Sequence, residues 1–143
     1  KLKAILSALA ATTSAEKISK RYARIEKLNV NLPIVFDSSI MGLKVKEIIK
    51  LLQKVLGENF AVALSEKSVR AGKGKARGRK YKSSRGLLIV IASDEKVKCK
   101  EFEVVNVKNL SLEQLAPAGV SGRLAVYTEK AIAELNAKYG GKK

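Results

Sequence analysis

The sequence predicts a layered α/β/α domain in which helices cover a mostly parallel sheet. Two stretches, Leu32–Phe36 and Leu87–Ala92, are short and continuously apolar, as is typical of strands buried on both faces. Segments with helical periodicity separate them, of which Leu43–Leu56 is the clearest. Strands that alternate with helices favour a parallel sheet. With 143 residues, 46% of them hydrophobic, the chain can bury a core, and we expect one domain over 1–143.

The N-terminal region is predicted to form two helices. Lys1–Thr13 carries an apolar stripe at helical spacing, and Ser14 is placed to cap a second, shorter helix that reaches Ile25. The outer side of this second helix forms a possible RNA-binding face, or else a solvated helix surface. Its cations are Lys17, Lys20, Arg21 and Arg24.

The elements after the first strand follow from local patterns. Gly57 is placed to end the helix Leu43–Leu56, whereas Phe60–Leu64 is ambiguous between a short strand and a helical turn. The remaining predicted elements are strands at Leu87–Ala92, Val104–Val107 and Leu124–Tyr127, a helical turn at Leu110–Leu115 and a last helix at Glu129–Tyr139.

The net charge indicates a polyanionic partner. Lys and Arg outnumber Asp and Glu by 29 to 13, which gives +16 at pH 7. Cys99 is the only cysteine and histidine is absent, so an internal disulfide, a Cys-based zinc site and the usual general base are excluded. No apolar run is long enough to span a membrane. We expect a cytoplasmic protein that binds nucleic acid, with no metal, no cofactor and no small-molecule substrate.

Lys67–Gly86, which we call the basic loop, concentrates this charge. It contains no Asp or Glu and no aliphatic side chain larger than Val69, so burial cannot offset the entropy of ordering it. We therefore expect it to be mobile until phosphates neutralise it, with Tyr81 offering a face to an unstacked base. Its cations are Lys67, Arg70, Lys73, Lys75, Arg77, Arg79, Lys80, Lys82 and Arg85.

Three glycines in the basic loop invite a nucleotide-binding interpretation, which their spacing contradicts. Gly72, Gly74 and Gly78 are one residue too widely spaced for the dinucleotide fingerprint, and they precede a predicted strand instead of following one. The phosphate-binding loop of nucleotide hydrolases needs Ser or Thr after Gly-Lys, which is missing here. Binding of ATP or NAD is therefore not expected.

Two aspartates support an alternative function. Asp37 and Asp94 each follow a predicted strand, where doubly wound folds can hold a magnesium-binding carboxylate. The alternative is thus a magnesium-dependent enzyme that uses Asp37 or Asp94, although Asp at such positions most often caps a turn or helix and no paired acid or base completes a site. A peripheral membrane protein is a third hypothesis, but the basic loop offers only Val69 and Tyr81 as apolar anchors.

The segment LAPAGVSGR, Leu115–Arg123, has a defined loop chemistry. Pro117, Gly119 and Gly122 specify its shape and present Arg123 at the start of a predicted strand. Such a loop can hold a phosphate through its arginine, or it can be a structural crossover between two elements.

Several segments together resemble the archaeal and eukaryotic type of large-subunit ribosomal protein number four. They are RAGKGKARGRKY at Arg70–Tyr81, LSLEQLAPAGVSGR at Leu110–Arg123, LAVYTEKAI at Leu124–Ile132, and the earlier ILSALAAT and LPIVFD. The resemblance runs nearly end to end, in the same order and spacing. It implies that the chain is the C-terminal globular part of such a protein, without the N-terminal strand and the extension that reaches the peptide exit tunnel.

The resemblance also implies a role. The chain would bind large-subunit ribosomal RNA, support subunit assembly beside neighbouring ribosomal proteins, reside in the ribosome and catalyse no reaction. At the matching positions, Arg70–Arg85 would be the main RNA contact and Arg123 a secondary one.

Overall fold

The computed structural model describes residues 1–22, 25, 28, 30–97 and 99–140. These residues form six helices and six strands, joined in part by 3-10 turns. The helices are α1 (Leu2–Thr12), α2 (Ala15–Arg21), α3 (Val45–Leu56), α4 (Phe60–Ala63), α5 (Leu112–Leu115) and α6 (Glu129–Tyr139). The strands are β1 (Ile34–Phe36), β2 (Lys67–Val69), β3 (Tyr81–Ser83), β4 (Leu88–Ile91), β5 (Glu103–Asn106) and β6 (Ala125–Thr128).

Four of the strands form a parallel sheet in the order β1-β6-β4-β5. The two central strands, β4 and β6, are buried along their whole length, which explains why Leu88–Ile91 is continuously apolar. Leu88 pairs with Glu103 on one side and with Ala125 on the other. This arrangement confirms the predicted α/β class with a mostly parallel sheet.

Each face of the sheet has its own apolar core. Ile89 and Ile91 pack with the cluster that includes Ile18 of α2 and Leu52 of α3. The alternate residues of the same strand, Leu88 and Val90, pack with the cluster of Ala8, Leu115 and Ala131 from α1, α5 and α6. Because successive strand residues point to opposite faces, one apolar strand serves both cores. Helices consequently cover both sides of the sheet, as predicted.

The boundaries near the N-terminus differ from the prediction. Helix α2 ends at Arg21, and Tyr22 has extended backbone angles, so the helix does not reach Ile25. Ser14 occupies the N-cap position, but its side chain forms no capping hydrogen bond. The ambiguous segment Phe60–Leu64 forms a helical turn, α4, instead of a strand. No helix within the described ranges has the length and apolar character needed to cross a membrane.

Candidate nucleic-acid interface

The basic loop forms a β-hairpin. Strands β2 and β3 pair antiparallel, with Ser68 opposite Lys82 and Val69 opposite Tyr81. The Arg70 amide donates to the Lys80 carbonyl at 2.8 Å and closes the ladder below the tip. At the tip, Gly72 and Gly78 have φ near +75°, where a side chain is strained. The sequence predicted an irregular segment here. It did not reveal the two strands because they bury no apolar face, so apolar and polar residues do not alternate along them.

The cations of the hairpin face solvent. All nine Lys and Arg side chains of the basic loop are exposed, and within the described ranges only Arg85 among them forms an ion pair, with Glu103. Two further contacts of these cations involve no negatively charged group. Arg70 Nε donates to the Arg79 carbonyl at 3.2 Å, and the Lys80 ammonium lies 5.6 Å from the Tyr81 ring centre. Tyr81 itself is 58% exposed. The hairpin therefore presents to a partner eight positive charges that no ion pair among the described residues compensates.

The base of the hairpin is attached to the sheet by Arg123, whose side chain is only 1% exposed. Its Nε donates to the Gly86 carbonyl at 2.9 Å and its Nη1 to the Gln114 carbonyl at 2.8 Å. Its Nη2 lies 2.9 Å from Glu103 Oε2, the same oxygen that Arg85 Nη1 contacts at 2.9 Å. The guanidinium is thus engaged by protein atoms at all three nitrogens.

This geometry corrects the role predicted for Arg123. A phosphate clamp needs a guanidinium that faces solvent, and the structure instead buries Arg123 as a link between the crossover loop, the hairpin base and β5. Burial lowers the pKa of Arg123, while the Glu103 carboxylate opposes that shift. A buried arginine is tolerated because Glu103 and the two carbonyls replace its water shell. Of the two interpretations of Leu115–Arg123, the structural crossover loop fits this arrangement.

We expect the Glu103 link to make stability depend on acid. Burial alone would raise the pKa of Glu103, but the hydrogen bonds from Arg85 and Arg123 outweigh it and leave the pKa below the ordinary 4.5. The stabilisation is therefore complete above about pH 4.5 and disappears as the pH falls through the lower, folded-state pKa. In the Glu103→Gln variant, the free energy of unfolding should lack this part of the pH dependence, which the unmodified chain shows between about pH 5 and pH 3. Denaturant titrations across that range check it, and parallel pH profiles for both proteins would contradict it.

The second predicted RNA-binding face has fewer free cations than the hairpin. Lys17 is exposed, but Lys20 pairs with Glu16 at 2.7 Å. The Arg21 guanidinium donates to the carbonyls of Val120 and Pro117, the latter at 3.2 Å, and so links α2 to the crossover loop. Arg24 lies outside the described residues. Binding of RNA by this face stays a prediction.

The structure does not assemble the alternative magnesium site. Asp37 is exposed at the start of a 3-10 turn, where hydrogen bonds from the Ser39 hydroxyl and the Ser38 amide lower its pKa. Asp94 is also exposed, and β6 lies between the strands that the two aspartates follow. In the parts of the chain that the structure describes, no three His, Cys, Asp or Glu residues are grouped as a metal site requires.

Glu95, which the sequence analysis did not single out, is a buried acid at this end of the sheet, with 7% of its surface exposed. Its Oε2 accepts hydrogen bonds from Thr128 Oγ1 at 2.7 Å and from the Ala92 amide at 3.0 Å. Burial would raise the pKa of Glu95, but these bonds outweigh it and lower the pKa. Because Thr128 also caps α6 through the Ala131 amide, Glu95 connects β4 to the start of that helix.

The chain is similar to several curated ribosomal proteins. It is 37% identical to large ribosomal subunit protein uL4 of Methanocaldococcus jannaschii over 97% of this chain and 57% of that protein. It is 39% identical to uL4 of Thermoplasma volcanium over 90% of this chain and 52% of that protein. With uL4 of the eukaryote Tetrahymena thermophila the identity is 35%, over 96% of this chain.

The chain spans about half the length of the archaeal relatives it matches, 57% and 52% for the first two. No model of a protein family matches it. The similarity extends over nearly all of the chain, so it includes the sheet, the basic loop and the crossover loop.

Proposed function

The chain belongs to the uL4 family of large ribosomal subunit proteins, and on that premise we propose that it binds large-subunit ribosomal RNA through the basic loop. Its role would be structural, in the ribosome, in contact with neighbouring ribosomal proteins and in support of subunit assembly, with no reaction catalysed. The observation that carries the proposal is the hairpin of eight exposed cations without an ionic partner among the described residues.

The charge and shape of the hairpin favour RNA over the other partners. Exposed Lys and Arg side chains replace the counterions around phosphates, and the release of those ions drives binding. The glycines at the tip carry no side chain, so the backbone can approach a phosphate closely. A membrane surface would need apolar anchors, and the hairpin offers only Val69 and Tyr81, at 54% and 58% exposure.

We expect the affinity for large-subunit ribosomal RNA to depend steeply on salt. If about six cations of the basic loop meet phosphates, log K should fall with log salt at a slope of roughly −4 to −5. Filter binding or fluorescence anisotropy over a salt series measures the slope. A slope near zero would contradict the proposal, as would equal affinity for anionic lipid vesicles at the same salt.

A further inference from the structure

A groove lies beside the hairpin, on the side that faces α2 and α4. Its volume is about 410 Å³, and its apolar lining comes from Tyr22, Ala61, Val62 and Leu64. The basic loop contributes Lys82 and three serines to the lining, and α2 contributes Arg21, whose guanidinium donates to carbonyls of the crossover loop. The fold therefore brings residues of the two predicted basic regions, about sixty residues apart in the sequence, to the lining of one groove.

We propose that this groove binds an unstacked base of the RNA that the basic loop holds. The inference rests on the proposed function, since the hairpin's phosphate contacts would bring the RNA strand to the groove. RNA is recognised in single-stranded segments whose splayed bases enter apolar or aromatic sites, while cations beside the site hold the flanking phosphates. The groove combines these features: an apolar lining that includes Tyr22 and Val62, and two cationic residues, Arg21 and Lys82, among the residues that line it.

The size and charge of the groove select this occupant. A volume of about 410 Å³ lies in the range of pockets that hold small molecules, so the groove can hold a single base and is too small for an RNA duplex. Among the described lining residues, Arg21 and Lys82 outnumber the one carboxylate, that of Glu66, so the net charge of these residues is positive and favours phosphate. The site is distinct from Tyr81, whose ring does not line the groove.

The test compares two single-stranded RNAs of about ten nucleotides, an oligouridylate and the same strand with abasic positions. The abasic strand keeps every phosphate, so the salt slope should be unchanged while the affinity of the whole chain falls roughly 5- to 150-fold. Ultraviolet cross-linking of the oligouridylate to the unmodified chain, followed by mass spectrometry, should place the uridine on the peptides that contain Tyr22 or Val62. Cross-links confined to Tyr81 would overturn the inference.

A matched pair of variants separates the groove from general charge. Ala61→Glu adds a carboxylate to the lining of the groove, and Ala133→Glu makes the same charge change on an exposed position of α6. Only Ala61→Glu should remove the preference for strands that carry bases. The groove proposal would be overturned if both variants preferred the base-carrying strand equally, or if the unmodified chain bound both RNAs with equal affinity. In either case, a steep salt slope would leave the proposed function standing. A flat slope would instead overturn the proposed function.

Discussion

Replacing Lys73, Lys75, Arg77 and Arg79 by glutamine should reduce the affinity for large-subunit ribosomal RNA more than any other surface change. All four side chains are exposed at the hairpin, without ionic partners among the described residues, so their loss should leave the fold intact. Four fewer phosphate contacts flatten the salt slope by about 3 and lower the affinity on the order of 10²- to 10³-fold at 0.1 M salt. Binding isotherms over the same salt series measure both quantities.

A control variant with the same change in net charge distinguishes local contacts from the overall field. Lys44, Lys46, Lys50 and Lys54 are exposed on or beside α3, and their replacement by glutamine also removes four charges. This control should change the slope little, because its charges lie on another element and outside the hairpin. If both variants weaken binding equally, the basic loop is not the contact, and the Lys17–Arg21 face becomes the surface to test.

Gly122→Ala should strongly destabilise the fold. Gly122 has φ of +90°, and an added Cβ would lie 2.5 Å from the Lys17 carbonyl oxygen and 2.8 Å from its carbon. Both atoms belong to the backbone of α2, which Ile18 anchors in the core with none of its surface exposed. Relief therefore requires moving a packed helix, and we expect a loss of about 3 kcal/mol in the free energy of unfolding.

Gly119→Ala isolates the contribution of backbone strain to that loss. Gly119 has φ of +77°, but nothing lies within 4 Å of its added Cβ. Its substitution should cost about 1 kcal/mol, as expected for the left-handed conformation alone. Urea titrations followed by circular dichroism measure both variants. Equal losses would show that contact with α2 adds nothing, and that the crossover loop is free to move away from the helix.

The crossover loop also contains a residue other than glycine with a positive φ angle. Ala118 has φ of +60° in the 3-10 turn Pro117–Gly119, a conformation that glycine adopts more readily. The neighbouring Arg21 donates to the carbonyls of Pro117 and Val120 on either side of this residue. The loop is therefore held by α2 through Arg21 and through the close approach of Gly122, and the sequence pattern alone revealed neither contact.

The amino-acid sequence determined the features that depend on neighbours along the chain. A continuous apolar run predicted β4, the helical spacing of apolar residues predicted α3, and Thr128 as a cap predicted the start of α6 at Glu129. The concentration of cations in the basic loop is likewise visible in neighbouring residues of the sequence, and each of these cations is exposed in the structure. These properties follow from periodicity and composition, which a sequence displays directly.

The tertiary structure alone decided which charged residues meet. Leu88 pairs with Glu103 on one side and with Ala125 on the other, so the parallel register brings the starts of three strands together. Arg85 and Gly86 precede the first of these strands and Arg123 precedes the last, which is why Arg123 reaches both Glu103 and the Gly86 carbonyl. The partners are 20 and 37 residues away in the chain. An arginine's role as a phosphate ligand or a buried link depends on such distant partners, because they decide whether its charge is neutralised by protein or left for solvent.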